Sequence, residues 1–414
     1  MHLEHIMEKR ASDNGFLGLS GKVILLALFF LVLGDHVNGT RNAATSAERD
    51  LEIERKLKLM NKPAVKSIQS EDGDIIDCVD INKQPAFDHP LLKNHKIQMR
   101  PSMDGQVNEE AASSISTVTQ LWRKSGSCPE GTIPIRRVQK SHLLRTPSLE
   151  NYGMKSKHVP NSTNDLNARM YADAVLLAQG FRYNGVHANI NVWNPYVEAD
   201  DEYTSAQIWL VNGPYYAQDT IQTGWTVNPS VYGDKRTRLF SYWISNTTGC
   251  YDLFCSGFVQ TSSEIALGGA IEPISTGQQQ NEITLSIALD TSSSNWWLVF
   301  NNKTSIGYWP SSLFNYLFGA ATTVFWGGEV YSQRLGTPHT LTAMGSGYFA
   351  GYRFGRSCYM SQVRIRDNSL VWKYPQWVST YQSQYNCYDV LNDKEYSKDP
   401  FFYFGGPGRN DRCP

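Results

Sequence analysis

From about Ala172 onward, apolar and polar residues alternate in short runs. Runs such as SAQIWLVNG (205–213), EITLSIALD (282–290) and TTVFWGGEVY (322–331) have the period of two that antiparallel strands with one buried face require. Asn-Gly, Asn-Pro and Gly-Gly pairs separate the runs and favour tight turns. A series of roughly ten such strands predicts an all-β fold, a sandwich or a barrel. One helix is also expected, at 311–321.

The N-terminus has a different pattern. Val23–Leu33 is an uncharged apolar run preceded by Lys9, Arg10 and Lys22, which is the layout of a secretory signal peptide. The run is shorter than the ~20 residues that a membrane-spanning helix needs; a buried helix and a signal anchor are the alternatives. We assign residues 1–39 to the signal peptide and expect a secreted product without membrane attachment after cleavage. Its destination is the extracellular space, apoplast or cell wall, or else the vacuole.

Between the signal and the β-rich region lie two segments. Residues 45–66 are charged with interspersed leucines and predict an amphipathic helix, and Ile75-Ile76 predicts a short strand. Residues 45–137 therefore form a small mixed pro-segment. The polar stretch 138–168, which is poor in core-forming residues, is expected to be an exposed connector. The remaining residues, 169–414, form the predicted all-β domain.

Charge and cysteine content narrow the class further. The formal net charge is -1 and no long basic run occurs, which argues against a nucleic-acid partner. There are seven cysteines, which tend to pair in an oxidising compartment. We expect pairs Cys250–Cys255, Cys387–Cys413 and Cys78–Cys128, with Cys358 left over. Asn-X-Ser/Thr sequences make Asn161, Asn246 and Asn302 candidate glycosylation sites.

Common catalytic and nucleotide-binding motifs are absent from the sequence. The sequence has no P-loop and no nucleophile elbow, and His187 and His339, the two histidines of the β region, are too few for a histidine zinc site. We therefore expect neither a metal nor a cofactor. Glu329 lies in the apolar tract VFWGGEVY, where a carboxylate is either paired or has a raised pKa; the alternative is a strand-end glutamate facing water. Among the many aromatic residues, Trp225, Trp326 and Tyr331 are expected to contact substrate.

Several long motifs make the chain similar to a known family. WNPYVEADDEYTSAQIWLVNG, QTGWTVNPSVYGDKRTRLFSYW and WGGEVY resemble the plant neprosin-domain family. DGDIIDCVDINKQPAFDHPLLKNHKIQ and GSCPEGTIPIRR resemble the activation peptide that precedes that domain. The resemblance implies a secreted zymogen of a glutamic endopeptidase on an antiparallel sandwich, active in acid and cutting after proline. It also implies proline-containing peptides or proteins as substrates and the pro-segment as inhibitor.

The resemblance also assigns the site. The family's peptidase uses two glutamates; one corresponds to Glu329, and the other corresponds to Gln222, where this chain departs from the family pattern. An amide can still stabilise an oxyanion, and fungal glutamic peptidases use such a Gln and Glu pair. The hypothesis is that Glu329 activates water and Gln222 stabilises the oxyanion. The alternatives are a catalytically inactive cell-wall protein that binds peptide or carbohydrate, and a glycosidase with two acids.

The pro-segment offers a possible trigger. His89 and His95 become charged as pH falls through ~6.5. We expect the pro-segment to cover the groove at neutral pH and to loosen in acid, with cleavage between about Arg137 and Ala168.

Overall fold

A computed structural model describes residues 47–102, 118–146, 148–155, 170–246, 248–393 and 401–414. The chain divides into two compact units, residues 1–55 and 56–414. The expected amphipathic helix is present as α1, residues 47–60. The signal peptide and Asn161 lie outside the described residues. Within the described ranges, no helix has the length and apolar character needed to cross a membrane.

The remaining elements are almost all strands. The pro-segment contributes β1 (Ala64–Gln69), β2 (Ile75–Asp80), β3 (Thr119–Gln120) and β4 (Thr132–Arg136), and the connector contributes helix α2 (Lys140–Arg145). The domain contributes β5 (Tyr171–Tyr183), β6 (Gly185–Asn191), β7 (Tyr203–Asn212), β8 (Asp219–Val227), helix α3 (Pro229–Tyr232), β9 (Arg238–Ser245), β10 (Thr248–Tyr251), β11 (Val259–Gln260), β12 (Ile271–Glu272), β13 (Glu282–Asp290), β14 (Asn295–Phe300), β15 (Thr304–Pro310), β16 (Ala321–Tyr331), β17 (Cys358–Arg366), β18 (Trp372–Lys373), β19 (Ser379–Gln382), β20 (Asp389–Asn392) and β21 (Phe402–Gly405).

Two large antiparallel sheets form the domain. The seven-stranded sheet has the order β10-β9-β8-β7-β16-β5-β19, and the nine-stranded sheet has the order β11-β15-β14-β13-β6-β17-β21-β20, with β18 paired to β17. Side chains of both sheets, such as Ile208 and Val324 from one and Ile190 and Leu285 from the other, share one buried cluster. The expected antiparallel β-sandwich is therefore confirmed.

The alternation along the strands decides which face each side chain occupies. In β7, Ala206, Ile208 and Leu210 point into the core, so Ser205 and Gln207 lie on the outer face, because successive strand residues point to opposite sides. The seven-stranded sheet thus has one apolar face inside the sandwich and one polar, aromatic face outside it.

The pro-segment packs against the domain through a sheet of its own, with the order β1-β2-β4, and through the pairing of β3 with β12. A buried ion cluster joins the two parts. Asp74 of the pro-segment bonds to Arg136 (2.8 Å) and to Arg238 of the domain (2.6 Å), and Arg238 also pairs with Asp234 at 2.6 Å. These guanidinium groups hold the pKa of Asp74 below its ordinary value against the opposing effect of burial, which is the largest single influence.

Six of the seven cysteines form the three expected disulfides. Disulfides join Cys78 to Cys128, Cys250 to Cys255 and Cys387 to Cys413, while Cys358 is a buried free thiol. Asn246 and Asn302 lie in exposed turns, and their glycosylation stays a prediction.

The helix expected at 311–321 is wrong, since only Ser311–Leu313 forms a 3-10 turn. Beyond that turn, the Asp219 carboxylate accepts the backbone N–H groups of Tyr316 and Leu317, and Trp296 donates to the carbonyl of Leu317 at 2.7 Å. These side chains take up backbone groups that a helix would bond internally.

Candidate active site

Gln222 and Glu329 both lie on the outer face of the seven-stranded sheet, on either side of β7. In the strand register, Gln222 of β8 is opposite Trp209, and Glu329 of β16 is opposite Ser205. Gln207 stands between these two positions on β7 and is fully buried. The central strands therefore bring the two sequence-predicted catalytic residues into one site.

Two glycines flank Gln207, and the backbone of a neighbouring strand lies close against each of them. Gly224 and Gly327 are its partners on β8 and β16. A Cβ at Gly224 would lie 2.0 Å from the carbonyl oxygen of Ala206, and one at Gly327 would lie 2.3 Å from that of Ala174. Gly327 also has φ +146°, which side chains other than hydrogen rarely allow. Gly328, by contrast, faces the core, where a Cβ would lie 2.6 Å from Met344.

A lysine of the connector occupies the site. The Nζ atom of Lys155 donates to Oε1 of Gln222 at 2.6 Å and to Oε1 of Glu329 at 2.7 Å. The Lys155 and Glu329 side chains are only 8% and 10% exposed, so this ion pair is largely shielded from water. A single ammonium nitrogen thus bridges the two candidate catalytic groups.

Tyrosine rings surround that ammonium. Nζ lies 5.5 Å from the ring centre of Tyr203, 5.1 Å from that of Tyr242 and 5.9 Å from that of Tyr251, within the range of cation–π attraction. Tyr203 also donates its hydroxyl to Oε1 of Glu329 at 2.7 Å. Burial, followed by the charge of Glu329, raises the pKa of Tyr203 well above 10, so this hydroxyl remains a donor.

The amide of Gln222 has a defined orientation in this state. Its Oε1 accepts from Lys155 and from Nε2 of Gln207 (3.3 Å), while its own Nε2 donates to Thr220 Oγ1 at 3.3 Å. With Lys155 bound, the amide therefore presents its oxygen to the site.

A third acidic residue lies beside Glu329. Asp173 of β5 is directly opposite Glu329 in the register, and paired residues of an antiparallel sheet project from the same face. Burial, with a further contribution from the Glu329 charge, raises the pKa of Asp173 to about 7. Sequence reasoning missed this residue because it gave no weight to a lone aspartate in an apolar strand.

The connector covers the groove beside these groups. Gly153 accepts a backbone hydrogen bond from Tyr251 at 2.8 Å, and Tyr152 donates its hydroxyl to the carbonyl of Val231 at 2.7 Å. A cavity of about 550 Å³ remains between the connector and the domain, and Tyr331 is part of its lining.

Two expectations need correction. Trp225 and Trp326 are fully buried on the inner face of the sheet, where they donate to the carbonyls of Asn191 and His187. They cannot contact a substrate in the groove, because strand alternation directs them to the core. Tyr331 lies on the outer face against Tyr203, with ring centres 5.5 Å apart, and its contact with substrate stays a prediction.

The connector was expected to be exposed, and its described part is a mixture: Leu144 and Met154 are exposed, while other side chains face the domain. Leu143, Tyr152 and Lys155 are buried or nearly so, because this stretch packs on the domain and reaches the site. The expected histidine trigger lies elsewhere: His95 contacts the Tyr308 hydroxyl of β15 at 2.7 Å. The role of Lys155 was missed, since one lysine in a polar stretch carries no sequence signal.

The family models agree with this organisation. The Neprosin model matches residues 200–407, and the Neprosin activation peptide model matches residues 67–183. The chain belongs to the neprosin family, and an activation peptide followed by this domain is the organisation of a peptidase zymogen. The second match extends into β5, which is nevertheless an internal strand of the seven-stranded sheet.

Solved structures show distant similarity. A scytalido-glutamic peptidase bound to a peptide-based transition-state analogue is 10% identical, with 56% of this chain and 96% of that chain covered at a TM-score of 0.30. SCP-B, an eqolisin peptidase in complex with the tripeptide Ala-Ile-His, is 11% identical, with 56% and 96% covered at 0.29. A β-porphyranase from Bacteroides plebeius is 8% identical, with 37% and 54% covered at 0.21. Scores this low support no residue correspondence.

Proposed function

We propose that this chain is the secreted precursor of a glutamic endopeptidase in which Glu329 and Gln222 carry the reaction. Glu329 takes a proton from a water molecule while the oxygen of that water attacks the scissile carbonyl carbon. Gln222 donates to the carbonyl oxygen, which becomes negatively charged. Glu329 then passes the proton to the amide nitrogen, the C–N bond breaks, and a carboxylic acid and an amine are released.

The observation that carries this proposal is the position of Lys155. Its ammonium contacts both groups at once, at 2.6 and 2.7 Å, so one atom placed between them can interact with the amide and the carboxylate together. In the proposed reaction the attacking water, and then the tetrahedral intermediate with its oxyanion, must likewise contact the carboxylate and the amide together. Release of Lys155 frees Oε1 of Gln222, after which the amide can turn its Nε2 toward a substrate carbonyl.

The bound connector also supports inhibition by the pro-segment. Lys155 neutralises the carboxylate that must act as base, and the connector fills the groove beside it. Activation in acid, which the family resemblance implies, then acts by releasing the connector and Lys155 from the site. Cleavage after proline, secretion by way of the signal peptide and glycosylation at Asn246 and Asn302 complete the proposal; they rest on the family and the sequence.

The test is hydrolysis of a quenched fluorescent peptide that contains proline by acid-activated protein, with products identified by mass spectrometry. Glu329→Gln should abolish cleavage, and Gln222→Ala should lower kcat by about 10²–10³. Gln222→Glu should retain activity, because it restores the family's pair. A folded, fully processed parent that cleaves no peptide at any pH would refute the peptidase proposal and favour a binding protein.

A further inference from the structure

A glutamine at position 222 leaves the predicted pair with one acid, yet the strand register places a second carboxyl beside Glu329. Asp173 of β5 is the direct partner of Glu329 on β16. Paired Cβ atoms of antiparallel strands are separated by about 4.5–5.5 Å. Carboxyl groups carried on adjacent Cβ atoms can interact strongly; two that do so do not readily ionise together, and such a pair tends to keep one proton.

The surroundings decide which of the two keeps the proton. Glu329 accepts the hydroxyl hydrogen of Tyr203 at 2.7 Å, and the Tyr203 hydroxyl keeps that hydrogen because its own pKa is raised well above 10. The charged groups that act on Asp173 are Glu329 itself and Lys155 of the connector. On the opposite side of Asp173, its backbone bonds to Ser383, whose side chain is a neutral hydroxyl. Once the connector leaves with Lys155, the negative charge of Glu329 remains, and it favours the neutral form of Asp173.

We propose that Asp173 is a positioning residue that carries a proton beside Glu329 and so keeps Glu329 ionised as the general base in acid. The inference rests on the proposed function. It adds a group that holds a titratable proton next to the general base, which the amide of Gln222 cannot do. Burial and the Glu329 charge, which raise the pKa of Asp173 to about 7, agree with this assignment. The proton stays on Asp173 while Glu329 exchanges its own with water and the leaving amine.

Two substitutions of Asp173 distinguish a role for its proton from a role in packing alone. Asp173→Asn keeps a donor but cannot ionise, so kcat/KM at the acid optimum should stay within about threefold of the parent. Its decline on the alkaline side should move upward in pH or vanish. Asp173→Ala has no donor and should lower kcat/KM at the acid optimum by about tenfold. Asp411→Asn, the same change at an exposed position near the C-terminus, should reproduce the parent profile.

A second readout does not need activity. Carboxyl ¹³C chemical shifts of the activated protein should show two aspartates titrating near neutral pH. One is Asp252, whose pKa burial raises to about 7 and whose signal should persist in the variants. The other is the Asp173 titration, which should be absent in Asp173→Asn and shifted downward in Glu329→Gln. Superimposable pH profiles of the parent and the Asn variant, or equal activity of the Ala and Asn variants, would overturn the proposal, as would the absence of that titration. An inactive parent refutes the proposed peptidase instead, and the carboxyl titration still decides whether Asp173 holds the proton.

Discussion

Replacement of Lys155 by methionine tests whether this side chain keeps the precursor inactive. Methionine is also long and flexible, but it has no charge and no N–H donor. The substitution removes the hydrogen bonds to Gln222 and Glu329 and the contacts with three tyrosine rings. It leaves the Glu329 carboxylate with only 10% of its side chain exposed and without its positive partner.

The magnitude follows from burial. Removal of one partner of a buried ion pair costs about 3–5 kcal/mol, because the other charge stays buried and uncompensated. The connector can relieve that cost by leaving the groove and letting water reach Glu329. A change of about 3 kcal/mol shifts the equilibrium between docked and undocked connector by about a hundredfold.

The assay is hydrolysis of the fluorescent peptide at pH 7 by the uncut precursor, whose integrity is checked by mass spectrometry at the start and the end. We expect activity from Lys155→Met and almost none from the parent. Lys124→Met is the control, since that lysine is 60% exposed and pairs with Glu71 at the surface, where an ion pair contributes little. An uncut Lys155→Met precursor as inactive as the parent, although active once processed, would refute the reasoning.

Three further predictions concern docking and stability. Burial, reinforced by a neighbouring guanidinium, lowers the pKa of His142 from 6.5 to about 4, so the docked form holds it neutral. Its contribution to the free energy of docking is complete above pH 6.5 and is lost by about pH 4, a change of about 3 kcal/mol. His142→Leu should therefore make pro-segment release less dependent on pH across this range, measured by gel filtration of cut protein. Asp74→Asn leaves the guanidinium of Arg238 without one buried partner and should lower the free energy of docking by about 3–5 kcal/mol, seen as faster limited proteolysis; an unchanged rate would contradict it. Gly224→Ala places a methyl 2.0 Å from a backbone oxygen of β7 and should lower the melting temperature by at least several degrees, whereas Gly336→Ala, with open space around it, should not.

Local patterns were sufficient for the strands and for the placement of Glu329. The alternation that predicts β7 and β16 also determines which residues face the core, and Glu329 could be singled out because a carboxylate is unusual in such an apolar tract. The same alternation could have excluded Trp225 and Trp326, since each lies an odd number of positions from the neighbouring candidate residue, Gln222 or Glu329, and therefore on the opposite face.

Other features depend on contacts between segments far apart in sequence. Lys155 meets Glu329 across 174 positions, and Asp173 meets it only through the pairing of β5 with β16. The polar composition of 138–155 indicates a connector but cannot show that the β domain has a surface to which this connector docks. The failed helix at 311–321 has the same cause, because Asp219 binds the backbone groups that the helix would need.

The covalent continuity of the connector has a consequence for activation. While the chain is intact, Lys155 is tethered next to its site, and its effective concentration there is set by a short segment, on the order of millimolar. A cut beyond Lys155 leaves the lysine on the pro-segment and turns an intramolecular contact into an association between two molecules. Inhibition after the cut then depends on the concentration of the protein. Dilution alone favours the active form, whereas a high concentration keeps the cut molecules associated and inhibited.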